Sequence, residues 1–233
     1  MPTGHPHPLD RPVWSALTSR QTGMALGHPQ DRPRAWRLAP RYGLFAAAAD
    51  ASPESLAALY ELIPADGAIA LVEAAAPALP PGAVMVRCAD LKQMTAAAIT
   101  PGAVPKGVLT LGDADAEEML ALATLTQPGP FFSHTHQLGR FIGIRQRGRL
   151  VAMAGERMKP DGFTEVSGVC THPDFRGRGL ASGLMRLIAQ AIVERGETPF
   201  LHVYADNTHA IALYRALGFE IRAALTMTVI ERG

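Results

Sequence analysis

The sequence has few cysteines, few aromatic residues and almost no excess of charge. Two cysteines cannot build a disulfide framework, and no group of Cys and His residues has the spacing of metal ligands, so we expect no bound metal. Aromatic residues make up 6% of the chain and the net charge is +1, which argues against nucleic acid as a partner. No signal-peptide core and no apolar run of the roughly 20 residues that span a bilayer are found. These absences predict a cytoplasmic protein with no membrane partner.

The composition that remains, 48% apolar and 18% charged over 233 residues, is typical of a globular protein with one large core or two smaller ones. Residues 1–12 contain four prolines and little hydrophobic pattern, which predicts a flexible leader. Residues 13–104 are rich in alanine and predict a smaller α/β domain of unknown role. The turn-forming segment 100–105 marks the boundary to a second domain, 105–233.

Hydrophobic periodicity predicts the elements of both parts. In the first part we expect strands within 36–49, at 68–72 and at 84–87, with a helix over 53–63 that Ser52 caps. In the second part we expect strands at 108–111, 140–145, 149–156, 165–171, 200–204 and 220–230, with helices at 115–125, 180–195 and 208–217. The alternation in the second part predicts an α/β fold, a mixed twisted sheet flanked by helices.

A glycine-rich loop joins the strand at 165–171 to the helix that follows. It reads Arg176, Gly177, Arg178, Gly179, with Leu180, Ala181 and Ser182 opening the helix. Free N–H groups at a helix N-terminus, next to two arginines and two glycines, are typical of a site for phosphate oxygens. The loop therefore predicts a phosphorylated cofactor.

Segment 169–181, in which Arg176, Gly179 and Ala181 have the spacing Arg, two residues, Gly, one residue, Ala, resembles the acetyl-CoA motif of the GNAT superfamily of N-acetyltransferases. A second segment, 207–219, resembles the C-terminal signature of the same family, with Asn207, Tyr214 and a final Leu-Gly-Phe in register. The resemblance covers about residues 105–233. The N-terminal domain is either a separate α/β partner or a degenerate copy of the same unit, without a glycine loop of its own.

The resemblance implies transfer of an acetyl or short acyl group from acetyl-CoA to a primary amine, on a small molecule or a peptide N-terminus. The pyrophosphate is then expected on residues 177–182, and the pantetheine arm along the backbone of Val169, Cys170 and Thr171, as an added strand. Asn207 is expected to contact the same arm, although it also fits a helix N-cap. The acceptor and the oligomeric state stay open.

The resemblance also implies catalytic roles. Tyr214 is expected to protonate the departing thiolate, as a positioned acid. For the base that takes the proton of the amine, Glu165 and His202 are both candidates, since histidine titrates near neutrality and a carboxylate lies at this strand position in similar proteins. Strand alternation places Glu165 and Val169 on one face and Val166 on the other.

A rival hypothesis is a non-catalytic acyl-CoA-binding or regulatory module, which would keep the loop and lack a working base. Turnover with a panel of amines distinguishes the two, because a binding module would bind acetyl-CoA and release no free CoA.

Overall fold

The computed structural model of the protein describes residues 7–27 and 34–233. The helices of this part are α1 (Pro12–Leu17), α2 (Pro53–Glu61), α3 (Ala116–Thr126), α4 (Leu180–Glu194) and α5 (Thr208–Ala216). The strands are β1 (Ala25–Gly27), β2 (Ala35–Leu38), β3 (Ala46–Ala48), β4 (Ile69–Glu73), β5 (Ala83–Thr95), β6 (Val108–Leu111), β7 (Phe141–Gln146), β8 (Arg149–Glu156), β9 (Phe163–Thr171), β10 (Thr198–Tyr204) and β11 (Glu220–Arg232). Within these ranges no helix has both the length and the apolar character needed to cross a bilayer.

Eight of the strands form one mixed sheet in the order β4-β11-β5-β10-β9-β8-β7-β6, and β1, β2 and β3 form a small second sheet. All neighbours in the large sheet are antiparallel except β9 and β10, which are parallel because α4 crosses between them. The expected α/β fold with a mixed sheet and flanking helices is confirmed. Every element expected after residue 105 is present, with ends that differ by at most two residues.

The large sheet draws strands from both sides of the boundary predicted at residue 105. Strands β4 and β5 precede it, yet β5 lies between β10 and β11 and pairs with both. Strands β4 and β5 thus share a sheet with the strands after residue 105, and the division of the chain at that residue stays a prediction. Of the predicted flexible leader, residues 1–6 lie outside the described residues, while Leu9 is fully buried, which contradicts a flexible leader over residues 7–12.

Each face of the large sheet carries its own apolar core. Helices α4 and α5 cover one face, where Leu184 and Ile188 pack against Leu201 and Val203 of β10. The N-terminal residues cover the opposite face, where a second cluster joins residues 9–72 to Leu91, Met158, Phe200 and Met227. The N-terminal part is thus one wall of a core that it shares with the rest of the chain.

Strand β9 contains a bulge that changes the expected alternation. Between the pairs Met153↔Cys170 and Gly155↔Ser167, three steps along β9 oppose two along β8, and Gly168 there has φ +63°. As a result Val166 and Val169 both pack on the α4 face. The expectation that they lie on opposite faces is wrong, because the extra residue reverses the alternation after Ser167.

Helix α5 ends in a Schellman motif whose left-handed residue is Gly218, with φ +99°. A Cβ there would lie 2.6 Å from the carbonyl oxygen of Ala98. We expect Gly218→Ala to lower the free energy of unfolding by about 1–3 kcal/mol, measured by denaturant unfolding. The matched control is Gly196→Ala, because Gly196 has φ +77° and open space around its Cβ position. Equal losses in the two variants would contradict the steric part of this prediction.

Candidate functional site

The glycine loop turns the chain into α4 through two left-handed residues. Gly177 has φ +75° and Gly179, the N-cap, has φ +71°. The first hydrogen bond of the helix runs from the N–H of Gly183 to the carbonyl of Gly179, so the N–H groups of residues 180–182 have no acceptor inside the helix. These donors open the helix at an exposed turn, which is the geometry that an anion needs.

The two arginines of the loop are both exposed. The guanidinium of Arg178 lies 4.9 Å from the ring centroid of Phe175 and donates to the carbonyl of Asp174. Arg176 donates from Nε to the carbonyl of Thr171 over 3.4 Å. The loop thus holds two positive charges beside the free N–H groups at the N-terminus of α4.

Strands β9 and β10 separate just before the loop. Their parallel pairing ends at Phe200↔Glu165, although β9 continues to Thr171 and β10 to Tyr204. Backbone groups of Val169 and its neighbours therefore face a gap in the sheet. The thiol of Cys170 is buried and burial raises its pKa to about 11, so it stays protonated and is no nucleophile.

A cavity of about 300 Å³ fills this gap. It brings together Glu165, Val169, His202, Asn207 and Tyr214 in one lining. The lining includes none of residues 176–182, nor Cys170 and Thr171. The predicted catalytic residues are therefore gathered at the cavity, and the glycine loop lies outside it at the end of β9.

Tyr214 and Asn207 come from α5 and the turn before it. Burial raises the pKa of Tyr214 above its ordinary value, so its phenol stays protonated at neutral pH. Asn207 caps the helix, since its side-chain oxygen accepts from the N–H of Ala210 over 3.1 Å. Asn207 therefore acts as a cap and also lines the cavity.

Glu165 is the centre of a buried polar network. Its Oε2 accepts from Arg157 Nε at 2.8 Å and from the N–H of Met158 at 3.3 Å, and its Oε1 accepts from Arg157 Nη2 and His202 Nδ1, both at 2.8 Å. Burial alone would raise the pKa of Glu165, but the charge and hydrogen bonds of Arg157 outweigh it and hold the pKa well below its ordinary value. All the lone pairs of this carboxylate are in use.

Gln93 determines the tautomer of His202. Its amide nitrogen donates to the carbonyl of Leu9 and lies 3.1 Å from His202 Nε2, while its oxygen accepts from Arg222 Nη1. Turning the amide over would set oxygen against oxygen at Leu9 and donor against donor at Arg222. Nε2 of His202 therefore carries a lone pair, and Nδ1 carries the hydrogen that it donates to Glu165.

Sequence reasoning missed Arg157 and Gln93. Arg157 is a cation directly after a buried strand, which signals a buried carboxylate partner without naming it. Gln93 lies in a stretch without clear periodicity, and 109 positions separate it from His202, so no local signal could identify it.

Comparison with solved structures supports the fold over the full chain. The structure of a putative acetyltransferase of the GNAT family from Novosphingobium aromaticivorans is 46% identical, with a TM-score of 0.89, and the match covers 97% of this chain and 99% of that one. A GCN5-related N-acetyltransferase from Kribbella flavida is 23% identical with a TM-score of 0.63, and this likeness concerns the fold alone.

Sequence relatives point the same way for the C-terminal part. The FR47-like protein family matches residues 141–228. The N-alpha-acetyltransferase RimI of Mycobacterium tuberculosis is 33% identical over 124 residues, which are 49% of this chain and 77% of that protein. The mycothiol acetyltransferase of Corynebacterium aurimucosum is 43% identical over 60 residues, but only 20% of its length is matched. The family that the two motifs predict is thereby confirmed: this chain belongs to the GNAT superfamily of N-acetyltransferases.

Proposed function

We propose that the protein is an enzyme that moves an acetyl or short acyl group from acetyl-CoA to a primary amine. The observation that carries the proposal is the cavity between the diverging β9 and β10, which has a protonated phenol and a histidine lone pair in one lining. The names of the relatives support acetyl transfer in general. A cytoplasmic location remains a prediction from the sequence.

The donor would bind along the open edge of β9. We assign the pyrophosphate to the N–H groups of residues 177–182 and to the side chains of Arg176 and Arg178. The pantetheine arm would run beside residues 169–171 on the side of β9 that has no pairing with β10, with its thiol end in the cavity. This path leads from the exposed glycine loop to Tyr214.

In the reaction, the amine nitrogen attacks the thioester carbonyl, the C–N bond forms and the C–S bond breaks. Tyr214 gives its proton to the departing thiolate, because its raised pKa keeps it protonated until then. The proton of the amine passes to Nε2 of His202. The 3.1 Å hydrogen bond between Gln93 and this nitrogen breaks at that step. Glu165 acts as a positioning residue, since its occupied lone pairs cannot take a proton while its charge stabilises the imidazolium.

The overall test is release of free CoA from acetyl-CoA in the presence of amines, together with calorimetric binding of acetyl-CoA. We expect saturable binding and amine-dependent turnover. Binding without turnover for every amine would favour the non-catalytic acyl-CoA-binding module instead.

Gly179→Asp tests the anion site at α4. We expect the Kd for CoA to rise by about tenfold or more, because a carboxylate would oppose the pyrophosphate at the helix N-terminus. Gly196→Asp is the matched control, since Gly196 shares the positive φ at the other end of the same helix. Equal Kd values for the two variants, measured by calorimetry, would show that the loop does not bind the pyrophosphate.

Tyr214→Phe tests the acid. We expect kcat to fall by about 100-fold or more with little change in the Kd for CoA, since only the transferable proton is lost. Tyr60→Phe, which removes a phenol outside the cavity lining, should keep its kcat. A Tyr214→Phe variant with undiminished kcat would exclude Tyr214 as the acid.

Glu165→Gln tests whether this carboxylate is a positioning residue or the base itself. We expect the free energy of unfolding to fall by about 3–5 kcal/mol, because Arg157 is left buried without its partner. Glu118→Gln, at an exposed ion pair with Arg145, should cost less than about 1 kcal/mol.

The pH dependence gives a second check on Glu165. Its lowered pKa makes a stabilising contribution that is present above its ordinary pKa of 4.5 and is lost as the pH falls further, so the stability gap to Glu165→Gln should narrow below about pH 4.5. A variant of unchanged stability at neutral pH that has lost only kcat would instead make Glu165 the base.

A further inference from the structure

The cavity passes through the sheet from one face to the other. Tyr214 and Met185 of its lining belong to the core on the α4 face. Five apolar residues of its lining belong to the core on the opposite face: Phe45, Val72, Leu91, Met158 and Met227. These five residues are called the apolar wall below. If Tyr214 meets the thioester, the apolar wall lies where the acceptor would enter.

The charged residues that line the cavity form a neutral pair. The charged residues of the cavity lining are Arg157 and Glu165, which neutralise each other through two hydrogen bonds of 2.8 Å. The guanidinium of Arg157 also lies 4.7 Å from the ring centroid of Phe45. Arg157 is 9% exposed. The pair has no net charge, so it gives a carboxylate or a second ammonium group of an acceptor no net electrostatic attraction.

Three residues of the apolar wall come from outside the segment that the FR47-like family matches. Phe45, Val72 and Leu91 precede residues 141–228. Phe45 reaches the cavity because a β-bridge joins it to Ala70 of β4. Val72 and Leu91 reach it because their strands, β4 and β5, both pair with β11. The N-terminal part thus supplies most of the wall that faces the proposed acceptor.

We propose that the acceptor is a primary amine with a short, uncharged apolar substituent, and that Phe45, Val72 and Leu91 select it. The inference rests on the proposed function. A second charge on the acceptor would lose its hydration beside the apolar wall, where the lining offers no net opposite charge in return. Each methylene buried there improves binding by about fourfold. A cavity of about 300 Å³ is at the small end for ligand sites, which limits the substituent to a few carbons.

The experiment compares amines of matched length with the full chain and acetyl-CoA. We expect kcat/KM for n-pentylamine to exceed that for 1,4-diaminobutane and for 4-aminobutyrate by about tenfold or more, and n-butylamine to be about fourfold poorer than n-pentylamine. A charged amine that is used as well as n-pentylamine overturns the inference and leaves the proposed function intact.

A variant pair assigns the selection to the apolar wall. Val72→Ala enlarges the cavity, so we expect the ratio of kcat/KM for n-hexylamine over n-pentylamine to rise by about fourfold. Val86→Ala is the matched control, since Val86 is 50% exposed on β5 and outside the lining. An unchanged ratio in a folded Val72→Ala variant, checked by thermal unfolding, would overturn the role of Val72.

A protein that turns over no amine contradicts the proposed function, and the apolar wall is then judged by binding alone. Ligand-observed NMR would compare N-pentylacetamide with N-(4-aminobutyl)acetamide. Tighter binding of the uncharged amide supports the apolar wall, and equal or weaker binding refutes it.

Discussion

The site depends on the buried carboxylate of Glu165, which joins β9 to β10 through His202 at the point where the two strands separate. Glu165 is the last residue of β9 that pairs with β10, and its carboxylate also holds His202, two residues farther along β10. Arg157 closes the other side of the carboxylate. Because the charges are buried, the geometry is held only while all the partners are present. The gap beyond this point can therefore stay open without the strands drifting apart.

The N-terminal part contributes to this arrangement in two ways. Strand β5 separates β10 from β11 and brings Gln93 against His202. The residues before β5 cover the face that α4 and α5 leave open, and the carbonyl of Leu9 accepts a hydrogen bond from the amide nitrogen of Gln93. The polar network and the apolar core of that face are thus completed by residues far from the two family motifs.

Local pattern predicted the second half of the fold well, for reasons that particular elements make clear. The hairpin of β7 and β8 follows from its Arg147-Gly148 turn, where both residues have positive φ, and α4 follows from an apolar face at helical spacing. Strand β5 was expected as 84–87 and extends over Ala83–Thr95. Charged residues and an exposed outer half leave β5 without a hydrophobic pattern that would predict it. The strand is stabilised by partners more than 100 residues later in the sequence.

For the candidate site, too, local sequence patterns predict one part and miss another. Glycine spacing and a helix start suffice to predict the loop, whereas the saturation of Glu165 depends on Arg157, His202 and a backbone N–H brought together in three dimensions. The bulge at Gly168 is equally invisible to alternation, because one extra residue leaves the local composition unchanged.

The insertion of β5 between β10 and β11 also constrains how the chain can fold during synthesis. An emerging chain exposes β5 early, yet both of its neighbours, β10 and β11, begin more than 100 residues after β5 ends. Until β10 and β11 leave the ribosome, one long strand has no hydrogen-bonded partner on either side, and such edges invite pairing with other chains. Closure of the sheet is therefore a late, long-range event, and folding is expected to be slow and dependent on protection of the nascent chain.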